Sequence, residues 1–364
     1  MKDSNLTIGY IVLGKGNIAT RWIELFFKRR RFILEEFNVD SKIICIANSR
    51  NVWKNIYGVF SDDLESDFSK HSNEYNNVVG LLSEICSAYK GELVVLDLTS
   101  SEEVANSYTD IADFGCHLIT ANKIVESTYS RSYQTVVDAF KRNNIYFLRN
   151  ATVGAGLPIN YAIQSMIECG DQITGIEGVF SGTLSWLFES YNGELSFSEL
   201  VKIAQKQGIT ESDPRVDLSG NDVKRKLIIL ARNAGFNLEP ENVKVESLIG
   251  VPDTLCSLDE FYRKAQSLNE FIEEKYIQAK SKGCSLKYVA KFSDNMASVG
   301  LEAVSDSSPM ASIFPCDNIF IIRSLWYQDN PLVIRGPGAG RDVTAGAVQA
   351  DVMFLSKAVS KQRN

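Results

Sequence analysis

A lysine set among core positions of a helix, with acids gathered just before it, is where this sequence carries its clearest chemistry. Residues 208–234 read GITESDPRVDLSGNDVKRKLIILARNA. Val223, Leu227, Leu230 and Ala234 recur at helical spacing, and Lys226 falls on the same stripe. Burying an ammonium is costly unless it is paired, and Asp222 lies one helical turn behind it. The preceding loop is rich in acids: Glu211, Asp213 and Asp217. Taken alone, the Asp222/Lys226 pair reads as a helix cap and a snorkelling lysine, because such pairs have little net value. The acidic loop changes that balance, since it can aim Glu211 and Asp217 at the same point. Carboxylates around one ammonium suit a small zwitterion. The spacing of Ser219 and Asp222 predicts a capping box at the start of this helix.

A second pattern holds phosphate. Leu6–Leu13 is an apolar run that reads as a buried strand, followed by Gly14-Lys15-Gly16-Asn17-Ile18-Ala19 and a helix to about Arg30. Strand, glycine-rich turn and helix in this order form a dinucleotide fingerprint. Gly14 makes the tight turn, Gly16 lets a pyrophosphate approach, and Asn17 and Ile18 open the helix whose N-terminus receives it. After a second strand, Lys42–Ala47, an acid for a ribose hydroxyl is expected; the chain has Asn48-Ser49-Arg50 instead. Ser49 and the Arg50 guanidinium suit a 2′-phosphate, which predicts NADP over NAD. The strand Glu92–Thr99 ends in Thr99-Ser100-Ser101, and His117–Ala121 leads to Lys123. Both endings lie where parallel sheets bind ligands, although Thr99–Ser101 also reads as a helix cap and Lys123 as a surface lysine.

These segments need scaffolds. The first part alternates strands and helices, with a helix around Val78–Tyr89, another starting near Glu102, and a strand over Asn144–Val153. Two glycines and a proline in Asn150–Pro158 mark a domain junction. Beyond it, strands are expected over Asp171–Phe180, Leu286–Phe292, Ala297–Val304 and Asn318–Tyr327. Helices are expected over Leu184–Tyr191, Ser196–Gln207, Gly220–Ala234 and Ser257–Ala279, the last whole or split. Few parallel crossovers fit there, so the sheet should be mixed or antiparallel. A glycine-rich loop, Gly336–Gly340, then feeds a closing helix over Val343–Lys357, a second phosphate- or cofactor-facing device.

Composition narrows the class. The chain has 364 residues, 45% of them hydrophobic, and a net charge of −7. That length implies two domains, and the charge disfavours nucleic acid. No apolar run is long enough for a membrane span. The seven cysteines are scattered with no C-x-x-C, which fits a reducing cytoplasm. Two histidines, His71 and His117, argue against a histidine metal site or a Ser-His-Asp triad.

Together these segments resemble the homoserine dehydrogenase family, most closely the dehydrogenase half of bifunctional aspartokinase–homoserine dehydrogenases. The resemblance rests on residues 208–232, Thr120–Lys123, Ala151–Pro158, Ser181–Ser185 and Gly338–Ala345. It implies an α/β fold: a Rossmann-type parallel-sheet domain for NAD(P) over residues 1–150 and an α+β substrate and dimerisation domain with a mixed sheet over 151–330. Residues 331–364 are expected to return to the nucleotide domain. It implies NAD(P)H-dependent interconversion of L-aspartate 4-semialdehyde and L-homoserine, on the route to threonine, methionine and isoleucine, by a homodimer. Lys226, Asp222 and Lys123 take catalytic roles, Glu211, Asp217 and Thr183 bind substrate, and Gly340 lies near the cofactor. It also implies a monovalent cation on the backbone carbonyls of Val153, Ala155 and Leu157, with a glutamate where this chain has Asn150. A weak or empty cation site is therefore expected, with Asn150 bonded to the turn's backbone. Ile209 replaces a tyrosine, which leaves open a different small amino-acid aldehyde as substrate. A non-catalytic dinucleotide sensor is the other alternative. The chain ends soon after the closing helix, so no regulatory domain and no threonine feedback are expected.

Overall fold

The run Leu6–Leu13 forms strand β1 and takes the middle of a seven-stranded sheet. The computed structural model describes residues 6–250 and 256–362. On one side of β1 lie β2 (Val39–Ala47), β3 (Asn51–Lys54) and β4 (Asn73–Glu74); on the other lie β5 (Glu92–Asp97), β6 (His117–Thr120) and β7 (Phe147–Leu148). β2, β1, β5, β6 and β7 are parallel, while β3 and β4 form an antiparallel ribbon at the edge. Strands of this kind are buried on both faces, which explains their near-continuous apolar letters. One face packs Tyr10, Trp22, Phe26 and Ile33 against Ala345, Val348, Val352 and Leu355 of the closing helix. The other packs Leu82, Ile85, Tyr108 and Phe140.

The second sheet has six strands in the order β13 (Leu332–Pro337), β12 (Asp317–Ser324), β8 (Ile173–Val179), β10 (Cys284–Ser293), β11 (Met296–Ser305), β9 (Val243–Val245). Among the described residues β11 and β9 pair in parallel and the other neighbours antiparallel, so the sheet is mixed. On β12, Ile319 and Ile321 pack with Val179, Val289, Met310 and Ile313. The alternate residue Phe320 stacks on Phe180, with ring centroids 4.7 Å apart.

Contacts divide the chain into two units. The first holds residues up to Gly156 and from Gly340 on, and the second holds Leu157–Ala339. Because β13 pairs with β12, the segment expected to leave at residue 331 stays with the second unit up to Ala339.

Several elements differ from the sequence expectation for physical reasons. The first helix extends to Phe37, where Asn38 ends it in the left-handed region, φ 56°. The strand expected over Asn144–Val153 shortens to β7 and gives way to a 3₁₀ turn, Asn150–Thr152. The segment 257–279 is two helices, Leu258–Lys264 and Gln266–Ser281. Ser219 does not hold the N-cap position of the lysine-bearing helix, Asn221–Asn233, although its hydroxyl oxygen accepts the Asn221 N–H at 3.2 Å. A short helix, Arg215–Leu218, runs up to Ser219, whose hydroxyl donates to the Val216 carbonyl at 2.7 Å. Gly220, at φ 73°, takes the cap position, and a Cβ there would lie 2.1 Å from the Tyr288 hydroxyl.

That contact generates a test. Gly220→Ala combines left-handed strain with an overpacked phenol and should cost about 3 kcal/mol. Adding Tyr288→Phe should recover part of the loss in urea unfolding; no loss in the single variant would refute the account.

Candidate active site

In the first unit, the carboxyl ends of β1, β2 and β5 open into a cleft of about 590 Å³. Gly14, Lys15, Gly16, Ser49, Tyr75, Thr99, Ser100, Ser101 and Glu103 contribute to its lining. This is the point where strand order reverses about β1, the usual ligand position in such sheets. The two glycines do different work. Gly14 has φ 109° and a Cβ there would lie 2.8 Å from the Leu98 carbonyl, so the fold itself requires it. At Gly16 a Cβ would meet nothing within 4 Å. The fold does not demand that glycine; the open space is what an approaching phosphate would use. The helix Asn17–Phe37 starts behind Gly16 with no side-chain cap and no acid in its first turn, leaving its N–H groups for an anion.

The cleft is edged by a tight turn. The Asn48 side-chain oxygen accepts the N–H groups of Arg50 at 2.9 Å and Asn51 at 2.7 Å, which folds β2 directly back into β3. Ser49 lines the cleft; Arg50 is exposed beside it and outside the lining. The Tyr75 hydroxyl donates to the Asn48 carbonyl at 2.9 Å. Burial raises the Tyr75 pKa, and the Glu103 charge adds to this.

In the second unit, Lys226 is 8% exposed. Its ammonium donates to the Phe180 carbonyl at 2.7 Å and pairs with Asp222 Oδ2 at 2.9 Å. The Phe180 carbonyl also accepts Asn318 Nδ2 at 3.0 Å. Asp217 Oδ2 accepts the Glu211 N–H at 2.9 Å. Burial pushes the Asp217 carboxyl above its usual range, with Glu211 and Asp222 adding negative charge, against the Glu211 N–H and the polar Thr183 side chain nearby. Glu211, Asp217, Asp222 and Thr183 therefore share one electrostatic neighbourhood. Ser181 caps the helix Gly182–Ser190, setting Thr183 in its first turn, where its hydroxyl donates to the Ile209 carbonyl at 2.8 Å. Asp213 stands apart: Arg215 binds it in a fork of 2.6–3.0 Å, which holds its carboxyl below the usual range.

Sequence comparison meets this geometry. The profile of the homoserine dehydrogenase NAD-binding domain matches residues 14–149, and that of homoserine dehydrogenase matches 158–353. The chain belongs to the homoserine dehydrogenase family. It is 45% identical over 351 residues to bifunctional aspartokinase/homoserine dehydrogenase 2 of Escherichia coli, covering 96% of this chain and 43% of that protein. A chloroplastic bifunctional aspartokinase/homoserine dehydrogenase 1 of Zea mays is 36% identical over 97% of this chain and 39% of its own length. The chain thus spans less than half the length of these relatives. Among solved structures, a protein of unknown function from Candida auris superposes with TM-score 0.87 at 29% identity, covering 96% of this chain and 98% of that one. A hyperthermophilic archaeal homoserine dehydrogenase solved with NADPH shares the fold, with TM-score 0.73 at 20% identity over 96% and 98% of the chains. The matched NAD-binding profile spans residues 14–149, which include most of the cleft's lining.

Within this chain the expected residues fall in several places. Gly14, Gly16, Ser49 and Thr99 line the cleft; Asn17, Ile18, Arg50, Lys123 and Gly340 are outside its lining. Lys123 is half-buried at the N-cap position of the short helix Ile124–Ser127, without a side-chain cap bond, and Gly340 precedes the closing helix Arg341–Gln362. Asn150 donates to the buried Asp351 carboxylate, through its N–H at 3.1 Å and its side-chain amide. The Leu157 carbonyl accepts the Ile159 N–H at 2.8 Å. Both of these Asn150 bonds use its nitrogens as donors, and the Leu157 carbonyl keeps a second lone pair. Ala155 holds φ 53°, an uncommon conformation for alanine, beside Gly154 at φ 79°.

Sequence reasoning missed Asp97. This wholly buried carboxylate accepts the Thr99 N–H at 3.0 Å, the Thr99 hydroxyl at 2.7 Å, the Tyr108 hydroxyl at 2.7 Å and the Asn122 amide at 3.0 Å. Burial raises its pKa, and the donors oppose that rise. Four donors facing one carboxyl call for the ionised form. The signal was an acid ending an otherwise apolar strand. Asp97 ties the ends of β5 and β6 together beneath the cleft and also consumes the Thr99 hydroxyl.

Asp97→Ala strands these donors and should lower stability by about 3 kcal/mol. It should also weaken NADPH and NADH binding at least tenfold by fluorescence titration. Unchanged affinity would show that the network serves the fold alone.

Proposed function

We propose that the chain catalyses the reversible, NAD(P)H-dependent reduction of L-aspartate 4-semialdehyde to L-homoserine. The observation that carries this reading is Lys226: a buried ammonium fixed by Asp222 and the Phe180 carbonyl, with Glu211, Asp217 and Thr183 in the adjoining loops. An amino-acid substrate brings its own ammonium, which Glu211 and Asp217 suit as counter-charges. When bound, the nicotinamide supplies the hydride to the aldehyde carbon, or accepts it in reverse. Lys226 meets the charge that develops on the substrate oxygen and gives it a proton; in the oxidative direction the neutral amine takes the hydroxyl proton. Asp222 holds the lysine's direction in both. Lys123 is assigned to the cofactor side of the chemistry, and Gly14, Gly16, Asn17, Ile18, Ser49, Thr99 and Gly340 to holding the dinucleotide. The working unit is taken as a cytoplasmic homodimer, as the family resemblance implies.

NADP(H) is the proposed cofactor, supported by Ser49 and Arg50 where an acid would select NAD. Glu103 favours the second reading, NAD, because its carboxylate lines the same cleft and would repel a 2′-phosphate brought near it. Ile209 likewise supports a wider range of small amino-acid aldehydes. A non-catalytic sensor has no use for a held proton donor, which sets that alternative aside.

Lys226→Met should retain the fold by circular dichroism and lose about 10²–10⁴ in kcat for homoserine oxidation. A variant keeping more than half of wild-type kcat would demote the lysine. Arg50→Asp should move the NADP/NAD ratio of kcat/KM at least tenfold toward NAD; a wild type already faster with NAD, or an unmoved ratio, would assign the choice to Glu103.

A further inference from the structure

A lysine ammonium has three N–H vectors, and among the described residues two are taken at Lys226, by Phe180 O and Asp222. With two vectors pinned, tetrahedral geometry fixes the third. The same direction holds the proton when the group is an acid and the lone pair when it is a base. Aim in both reaction directions therefore depends on how firmly each acceptor is held.

Asp222 is anchored by its place one turn earlier on the same helix. The Phe180 carbonyl is a backbone group just past the end of β8, and it has a second donor on it. Asn318 Nδ2 reaches it at 3.0 Å from the beginning of β12. Asn318 is wholly buried, and its Oδ1 is buried without a hydrogen-bond partner among the described residues. An unsatisfied buried acceptor is unfavourable, and an apolar side chain of similar shape would avoid it. Flipping the amide would place oxygen against the Phe180 oxygen, so the donor must face the carbonyl. The amide is also wedged: a Cβ on Gly338 would lie 1.9 Å from Asn318 Cγ. That gives the glycine-rich loop a role apart from phosphate, because Gly338 leaves the space this amide occupies.

We infer that Asn318 is a positioning residue for the proton-transfer step, fixing the Phe180 carbonyl so that Lys226 points its third N–H or lone pair at the substrate oxygen. Its polar amide is retained for aim, at the expense of one unsatisfied acceptor. The inference rests on Lys226 as the proton donor.

The test is Asn318→Leu, which keeps the bulk, removes the donor and also removes the orphaned oxygen. Its melting temperature should stay close to wild type. Its kcat for homoserine oxidation should fall about tenfold with KM for homoserine changed less than twofold. The deuterium isotope effect on kcat, measured for reduction of aspartate semialdehyde with 4-deuterated NADPH, should increase as the chemical step becomes limiting. A drop in active fraction alone would lower the rate and leave the isotope effect unmoved, overturning the inference; so would wild-type kcat. Asn318→Ser, which withdraws the donor by shortening the side chain, should reproduce the kcat loss and isotope effect if the leucine is not accommodated. Gly338→Ala, which displaces the amide while leaving residue 318 intact, should do the same. Lys226→Met measured in parallel separates the two ideas. An inactive Lys226→Met beside a fully active Asn318→Leu refutes the positioning role alone. An active Lys226→Met refutes the underlying reading.

Discussion

Burying an ammonium is the constraint around which the second unit is arranged. Water would solvate Lys226 at no structural expense; inside the fold, each N–H must find an acceptor held by something else. Asp222 comes from the same helix, but the other acceptor comes from Phe180, far away in sequence, and that carbonyl in turn leans on Asn318 of β12. Three separate stretches of chain are drawn together by one positive charge. The left-handed Gly220 contributes by letting the lysine-bearing helix start against Tyr288.

The first unit solves the opposite problem. Its cleft leaves donors open for an anion, and the acid that ends β5 is spent elsewhere, while Glu103 stays on the lining. Asp97 is buried below the cleft floor and saturated by Thr99, Tyr108 and Asn122. It stiffens the ends of β5 and β6. Rigidity beneath an open N-terminus is what lets backbone N–H groups bind phosphate without reorganising.

Legibility followed the range of the interactions. Glycine spacing after an apolar strand, and a lysine four residues beyond an aspartate, are local patterns, and the family-level reading and the α/β architecture with a mixed second sheet were accessible from them. Phe180 matters through its carbonyl, which has no letter in a sequence. Asn318, Tyr75 and Glu103 matter because strand pairing or chain return brings them to a place no spacing encodes. Asn150 was read through its lost charge, but its actual partner, Asp351, sits on a helix some two hundred residues later. Ser219 closes the short helix before it and reaches only the Asn221 N–H, leaving the cap position to Gly220, a competition between neighbours that a capping pattern does not register.

The turn between β2 and β3 has an evolutionary consequence. Its conformation is secured by Asn48, through bonds to the backbone N–H groups of residues 50 and 51. The side chains of Ser49 and Arg50 take no part in that closure. Mutational drift at these two positions can therefore proceed without loss of folding stability, while a change at Asn48 would undo the hairpin. On the proposed reading, in which Ser49 and Arg50 bear on the choice of cofactor, that preference could switch, and switch back, by one or two substitutions without disturbing the hairpin.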